Sequence, residues 1–191
     1  MNTSLVDLLC QRVSSPRLVE PAPNSYELEK VFKSALRAPD HMMLRPWRYL
    51  VIQGEARNKL GRLFLKASEK LAQESGEELN EFKVDKLQAK PLRAPMIIVA
   101  IASVTEHPKV PSEEQILSCG VGVGYMLVAL QSLGYGGVWR TGEMALNKEV
   151  HQGLGLKQNE TIVGFLYLGT PAGELKSVPE LNVDDYVETW T

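Results

Sequence analysis

Three separated segments of the chain each place arginine beside small hydrogen-bond donors or at an abrupt turn. They are "QRVSSPR" (residues 11–17), "RAPDH" (residues 37–41) and "WRTG" (residues 139–142). An arginine guanidinium is a planar fork that binds phosphate or carboxylate at two points, and a serine or threonine hydroxyl adds a short donor. One such arginine is usually a surface charge, but three at the ends of helices or strands indicate recognition of an anion.

The stretch "RAPDHMMLRPW", residues 37–47, combines charge and apolar surface in a single turn. A helical pattern leads into it and ends near Pro39, because proline disfavours helical geometry in the residue before it. The turn is therefore either a rigid corner or one wall of a binding site. Four large side chains could enclose an aromatic ring system, although for each one alone a place in the core is the favoured interpretation: Met42, Met43, Trp47 and Trp139.

Other kinds of site find little support in the residue types and their spacing. The three histidines, His41, His107 and His151, are scattered, so no metal site is predicted. Cys119 lies in an apolar helical pattern with no base near it in the sequence, which is typical of a buried, unreactive thiol. Neither a GxSxG nucleophile motif nor a paired-carboxylate pattern is present. The sequence thus indicates ligand binding rather than nucleophilic or metal chemistry.

The stretch "GVGVG", residues 120–124, superficially resembles a dinucleotide-binding fingerprint. That fingerprint follows a strand and opens a helix, whereas these glycines lie inside a helical pattern. A glycine in a helix costs about 1 kcal/mol relative to alanine, so a compensating gain is expected. We favour close helix packing on the face shared by Gly120 and Gly124 over close approach of a flat ligand or of a second subunit.

Composition limits the classes of protein to which the chain can belong. Its 191 residues are 44% hydrophobic, which predicts one domain with its own core. A formal net charge of -2 argues against a general nucleic-acid binder. Two distant cysteines and the lack of a secretory-signal pattern predict a reduced, cytoplasmic protein. Residues 115–139 carry no charge, but six glycines among them favour a buried helix running into a buried strand over a membrane span.

Hydrophobic periodicity and capping signals divide the chain into helices and a few central strands, which predicts an α+β layered domain. Capping boxes are predicted at Asn24 with Glu27 and at Ser112 with Gln115, and Gly134 is predicted to end the longest helix. Residues 75–92 are predicted as solvated helix and loop, a candidate mobile flap. The predicted helices start near Thr3 or Ser4 (ending near Arg12), at 24, 55, 112 and 147. The predicted strands lie at 48–54, 94–103 and 160–171, and a short strand and turn is predicted over 136–142.

Together these segments resemble the nitroreductase family of FMN-dependent, NAD(P)H-using oxidoreductases, and within it the small YdjA-type members. The resemblance runs through "LLCQRVSSPRLVEPAP", "ALRAPDHMMLRPWRYLVIQGE", "RAPMIIVAIA", "GYGGVWRTG" and "IVGFLYLGTP". It implies a single FMN-binding domain over residues 1–191 with the nitroreductase-like fold. In that fold a central, mainly antiparallel sheet is flanked by helices in α/β/α layers. The family forms an intertwined homodimer with flavin sites at the interface, and its central helix packs against the partner.

The resemblance also implies which residues hold FMN. Arg12, Val13 and Ser14 correspond to the family's N-terminal Arg-x-Ser flavin clamp. The usual Arg-Arg-Ser reads Arg-Val-Ser here, so looser flavin binding or an altered redox potential is implied. Arg37 and His41 match positions that contact FMN from the other subunit.

On the opposite side of the flavin, the resemblance places Trp139, Arg140 and Thr141. The end of the long helix matches a stretch that the family uses for NAD(P)H: Ala129, Leu130, Gln131, Ser132, Leu133 and Gly134.

The implied activity is reduction of nitroaromatic or quinone-like acceptors, which are flat and electron-poor, by ping-pong hydride transfer through flavin N5. Because the flavin carries the hydride, no catalytic side chain is expected. Two alternatives stay open: an oxygen-dependent, flavin-fragmenting enzyme of the same fold, and a flavin-binding dimer without turnover.

Overall fold

A five-stranded antiparallel sheet forms the centre of the protein in a computed structural model that describes residues 4–191. Its long strand β5 pairs with β3 over most of its length, with β4 near its C-terminal half and with β1 at its last two residues. Strand β2 extends the sheet beyond β3. The strands are β1 (Leu18–Val19), β2 (Trp47–Gln53), β3 (Met96–Ser103), β4 (Gly136–Arg140) and β5 (Glu160–Pro171).

Helices cover both faces of this sheet, so the predicted α/β/α layering is confirmed. Alternate residues of β3 pack on opposite faces of the sheet, because successive strand side chains point in opposite directions. Ile97 packs in the cluster that contains Phe64 of α3, whereas Ile98 packs with Met126 of α5. The helices are α1 (Leu5–Cys10), α2 (Ser25–Ala35), α3 (Glu55–Ser75), α4 (Glu81–Ala89), α5 (Ser112–Ser132), α6 (Glu143–Leu146) and α7 (Lys148–Gly153).

The capping signals are partly confirmed. Asn24 and Glu27 form the predicted capping box of α2, and Ser4 caps α1, while Thr3 lies outside the described residues. Gly134 follows α5 with a φ of +84°, as expected at a helix end. The predicted box of Ser112 with Gln115 is wrong, because α5 has no side-chain cap.

The side chain of Gln115 is instead buried, and it forms hydrogen bonds with backbone groups of the loop before α5. Its Oε1 accepts the Thr105 N–H at 2.9 Å, and its Nε2 donates to the Thr105 carbonyl at 2.8 Å.

Residues 75–92 contain α4, which packs closely on α3. A Cβ on Gly61 would collide with the carbonyl of Gln88, so the two backbones touch at that point. Leu87 and Pro91 are buried beneath this segment. The contacts attach the charged segment to α3 through its apolar positions.

Helix α5 is buried on one side only. It is long and apolar enough to span a membrane by length and composition, but it packs as a core helix against α2, β3 and β4. On its other side Leu117, Val121 and Tyr125 are exposed at successive turns. We call these three residues, together with Gly124, the outer face of α5.

The glycines of α5 divide between these two sides. A Cβ on Gly122 would lie 2.9 Å from the Tyr49 hydroxyl, so Gly122 provides the close packing within the chain. A Cβ on Gly124 would meet nothing within 4 Å, and one on Gly120 would only touch Trp139. The favoured prediction, packing through Gly120 and Gly124, therefore assigned the intramolecular contact to the wrong glycines.

Candidate functional site

The segment that carries Arg12 and Ser14 lies against the first residues of β4. The Ser15 N–H donates to the Gly137 carbonyl at 3.0 Å. Ser15 is buried, and a Cβ on Gly136 would lie 2.7 Å from its hydroxyl. Glycine at 136 thus allows the N-terminal segment to run directly beside the strand.

Arg12 is partly buried, and its Nη1 has no hydrogen-bond partner within residues 4–191. The side chain lines a small cavity with Gln131, Tyr135 and Leu175. A buried charged donor that lacks a partner is costly, so the arrangement fits an anion that arrives from outside the chain.

A second cavity of about 260 Å³ adjoins this point at the end of β5. Ser14, Arg17 and Lys176 supply donors to it, and Glu174 is its one acidic residue. Two cations beside a hydroxyl form a suitable surface for a phosphate.

At the other end of β4, Arg140 and Thr141 line a cavity of about 430 Å³. The Nε atom of Arg140 is buried without a partner in the described part of the chain. Its guanidinium carbon lies 5.6 Å from the centre of the Tyr167 ring. Arg140 thus carries a second unpaired guanidinium nitrogen, after that of Arg12 in the neighbouring N-terminal segment, and it faces the α3 side of the sheet.

Two further cations in this cavity, Lys90 and Arg93, were missed by the sequence interpretation. They lie in a short 3-10 turn that leads into the buried strand β3. Burial lowers the pKa of Lys90, with a smaller opposing effect from Glu143. A basic pair around a proline at the entrance to an apolar strand was the available signal. Lys90 was assigned to the solvated segment, and Arg93 was given no role.

Two separate cavities lie at the two ends of β4: the Arg12 cavity, which α5 also lines, and the Arg140 cavity on the α3 side of the sheet. We call these two cavities, together with the edge of β4 between them, the groove. Four residues separate Gly136, beside Ser15, from Arg140, which is about 13 Å at about 3.3 Å per strand residue. One end of the groove therefore carries Arg12, and the other is a wider cavity with an aromatic wall and three cations. This arrangement fits a ligand with a phosphate on a flexible chain and a flat, electron-accepting ring.

Trp139 lies on the opposite face of β4 from Arg140, because neighbouring strand residues alternate. Its Nε1 donates to the Val163 carbonyl at 3.2 Å, and a Cβ on Gly164 would collide with the indole. The ring is 38% exposed, so part of it is available to a ligand or to another chain.

The predicted NAD(P)H segment forms the C-terminal end of α5. Leu130 is fully buried in the core and cannot contact a ligand. Gln131 Nε2 donates to the Leu8 carbonyl at 3.3 Å, and Gln131 shares the small cavity with Arg12. The segment therefore lies beside the Arg12 end of the groove.

Arg37 and His41 lie on a different part of the chain surface. His41 Nδ1 is 2.8 Å from Glu114 Oε2, in the first turn of α5. Gln131, beside Arg12, lies seventeen residues further along α5, which is about 25 Å at about 1.5 Å per residue. A single chain thus does not bring His41 to the Arg12 end of the groove.

The turn between Pro39 and Trp47 is both a rigid corner and the wall of a cavity. Ser118 Oγ donates to the Pro39 carbonyl at 2.7 Å and accepts the Trp47 Nε1–H at 3.0 Å. Met42, Met43 and Arg45 have φ angles of 60°, 55° and 53°. Left-handed geometry costs a residue with a side chain about 1–2 kcal/mol. The adjoining cavity of about 700 Å³ is open to solvent on one side and is lined in part by Arg37, Pro39, Asp40, Met43, Arg45 and Trp47.

Cys119 is fully buried, and burial raises the pKa of its thiol to about 12. The prediction that Cys119 is buried is confirmed, and a thiol in this setting is expected to be unreactive. Burial also raises the pKa of Tyr49, whose hydroxyl has no partner among residues 4–191.

The chain is similar to known proteins of one family. Residues 19–170 match the sequence profile of the Nitroreductase family. The protein named "Putative NAD(P)H nitroreductase YdjA" of Escherichia coli (strain K12) is 39% identical over 180 residues, which cover 94% of each chain.

Solved structures share the fold at lower identity. A nitroreductase-like family protein from Bacillus cereus superposes with a TM-score of 0.83 at 22% identity, covering 100% of this chain and 97% of that one. A mutant of the FMN and NADPH-dependent nitroreductase NfnB from Sphigopyxis sp. strain HMH gives a TM-score of 0.75 at 17% identity, covering 97% and 98%.

Proposed function

The chain belongs to the nitroreductase family, and from that premise we propose that it is an FMN-dependent oxidoreductase that uses NAD(P)H. Its acceptors would be nitroaromatic or quinone-like compounds. We propose that residues 1–191 form one FMN-binding domain of a cytoplasmic protein. The observation that carries the proposal is the pair of buried, unpaired guanidinium nitrogens, on Arg12 and Arg140, along one groove.

The residues of the groove fit FMN. Arg12, Ser14 and the neighbouring cations Arg17 and Lys176 would bind the phosphate at one end. Val13, in place of a further cation, leaves the clamp with one positive charge fewer than the family pattern. Thr141 lies at the ring end, where its hydroxyl and backbone can donate to the flat ring system.

When bound, FMN supplies hydride transfer at N5, from NAD(P)H to the acceptor, in two half-reactions of ping-pong type. The protein's task is to position both rings and to stabilise negative charge on the reduced flavin. Lys90, Arg93 and Arg140 suit this task because all three face one cavity. The Tyr167 ring closes that cavity on the sheet side and excludes water from part of it. No side chain is assigned a proton-transfer step.

A homodimer would complete the site. Arg37 and His41 are too far from Arg12 in one chain, so a second copy must supply them if they contact the same flavin. The outer face of α5 is apolar and exposed, and a face of this kind is typical of a protein interface. Residues 172–191 also expose several apolar side chains and are suited to wrapping a partner: Leu175, Val178, Leu181, Val183, Tyr186, Val187 and Trp190.

An anaerobic titration of the purified protein tests the proposed function. A yellow protein should lose its flavin absorbance with NADH or NADPH and regain it when a nitroaromatic or a quinone is added. If the flavin absorbance is not regained and new flavin fragments form once oxygen is admitted, the result would indicate the flavin-fragmenting alternative. A yellow protein that does not respond to either nucleotide would indicate a flavin-binding dimer without turnover, and a colourless protein that binds no added FMN would refute the proposal.

A further inference from the structure

The cavity beside the left-handed turn is a slot with apolar walls and two guanidinium groups. Met43, Pro39 and Trp47 supply flat or flexible apolar surface. Arg37 and Arg45 supply two positive charges, and Asp40 supplies one negative charge. Its volume of about 700 Å³ can hold a small aromatic molecule.

The charge of Arg45 is not neutralised by the chain. Within residues 4–191 its guanidinium takes part in no ion pair and no side-chain hydrogen bond. The nearby carboxylate of Asp40 is already engaged, since its Oδ2 accepts the backbone N–H of Arg45 at 2.8 Å. Asp40 therefore fixes the backbone of Arg45 and leaves its side chain free to bind an anion.

The geometry that presents Arg45 is unfavourable in itself and is held by its surroundings. Arg45 and the two methionines before it all adopt left-handed backbone geometry, which side chains rarely adopt. Ser118 fixes the start of the turn at Pro39 and its end at Trp47. Strained positions that are held in this way tend to occur where a ligand is bound.

We propose that Arg45 binds an anionic substituent of the flat reactant that enters this cavity. The inference rests on the proposed function, because Arg37 and His41 on the same turn would place the cavity beside the flavin of the partner subunit. The shared chemistry is an anionic oxygen group, and it has two sources: a carboxylate on the acceptor, or the 2′-phosphate of NADPH. A planar guanidinium suits either group by two-point binding.

The variants Arg45→Gln and Arg45→Lys test this proposal. Arg62→Gln is the matched control, because Arg62 is an exposed arginine on α3 that lines none of these cavities. In the acceptor arm, kcat/KM is compared for 4-nitrobenzoate and the neutral 4-nitrobenzamide. In the nucleotide arm, kcat/KM is compared for NADPH and NADH with the neutral acceptor. Loss of a hydrogen bond to a charged group corresponds to about a tenfold to a hundredfold change.

We expect Arg45→Gln to lower one of these two ratios by that factor, Arg45→Lys to lower it less, and Arg62→Gln to leave both unchanged. The ratio that falls identifies the source of the anion. Calorimetric titration of FMN-loaded protein with 4-nitrobenzoate and with 2′-phosphoadenosine measures binding without turnover. A protein that binds one of these anions through Arg45 but does not oxidise NAD(P)H would refute the proposed function alone. A change below about fivefold in both ratios and in both dissociation constants would overturn the role of Arg45.

Discussion

Arg12 and Arg140 differ from ordinary surface arginines only in their surroundings. The sequence interpretation selected both because each lies at an abrupt end of an element. One nitrogen of each is buried without a partner in the described residues, and this depends on tertiary packing that no local pattern reveals. By contrast, Lys90 and Arg93 were missed, because nothing in their local sequence links them to Arg140. Only the folded structure shows that the turn before β3 lies beside Arg140.

Replacing Arg12 by alanine is expected to weaken FMN binding about tenfold to a hundredfold. The physical reason is the loss of a charge-assisted hydrogen bond to the phosphate, which contributes about 1.5–3 kcal/mol. Fluorescence titration of the protein without cofactor measures this affinity, and Arg62→Ala serves as the control. Equal affinities in the Arg12 variant and the parent would remove Arg12 from the site.

Met43 offers a test of backbone strain, because its side chain is 76% exposed and contributes little burial. Alanine is normally more stable than glycine by roughly 0.5–1 kcal/mol in regular structure. At a φ of 55° the order should reverse, with Met43→Gly more stable than Met43→Ala by up to about 1 kcal/mol. Urea unfolding of the two variants measures the difference. The usual order, with alanine more stable, would show that the turn relaxes at no cost.

At the scale of helices and strands, the long periodic segments were predictable and the short ones were not. Helix α2 and strands β2, β3 and β5 follow from their hydrophobic patterns to within one or two residues. Strand β1 has only two residues, and its partner lies about 150 residues away in β5, so no local pattern could reveal it. Helix α6 has four residues and was missed for the same reason.

The wrong prediction of a capping box at Ser112 and Gln115 has a different cause. Its spacing from Ser112 satisfies the capping pattern, but its side chain finds backbone partners at Thr105 in the preceding loop. A tertiary contact here overrides a local signal.

An ion pair between Arg48 and Glu160 connects the start of β2 to the start of β5. Both Glu160 oxygens accept from Arg48 at 2.7 Å, and the Glu160 side chain is only 1% exposed. The hydrogen bonds from Arg48 lower the pKa of Glu160 below its ordinary value of 4.5, against the opposing effect of burial. The folded protein thus binds this proton less readily than the unfolded chain does.

The stabilisation by Glu160 is therefore present above the unfolded pKa and is lost as the pH falls through the folded one. Glu160→Gln should lower the free energy of unfolding at pH 7 by about 2 kcal/mol, because Arg48 loses its charged partner. The difference between variant and parent should shrink below pH 4, as measured by urea unfolding at several pH values. Glu29→Gln, which removes an exposed pair on α2, is the control and should change stability little. A difference that does not depend on pH would contradict the assignment.

At the scale of the whole molecule, the outer face of α5 predicts self-association. Sedimentation should detect a dimer of 21.2 kDa chains. Val121→Asp should produce monomers, because a charge would be buried in an apolar interface, and these monomers should lose FMN affinity along with dimerisation. Phe82→Asp, at an exposed position on α4, is the control. A monomer that binds FMN as tightly as the parent would contradict a site shared between two chains.

The position of β5 in the sheet affects how the nascent chain folds on the ribosome. Strand β5 pairs with β1, β3 and β4, yet it is translated after all of them. Translation proceeds at about 5–20 residues per second. Strand β3, which is apolar except for Ser103, can pair with β2 but waits for several seconds before its second partner, β5, emerges. During that interval the nascent chain can build helices but cannot close its sheet. The exposed β3 is therefore the segment on which a chaperone would be expected to act before the chain is released.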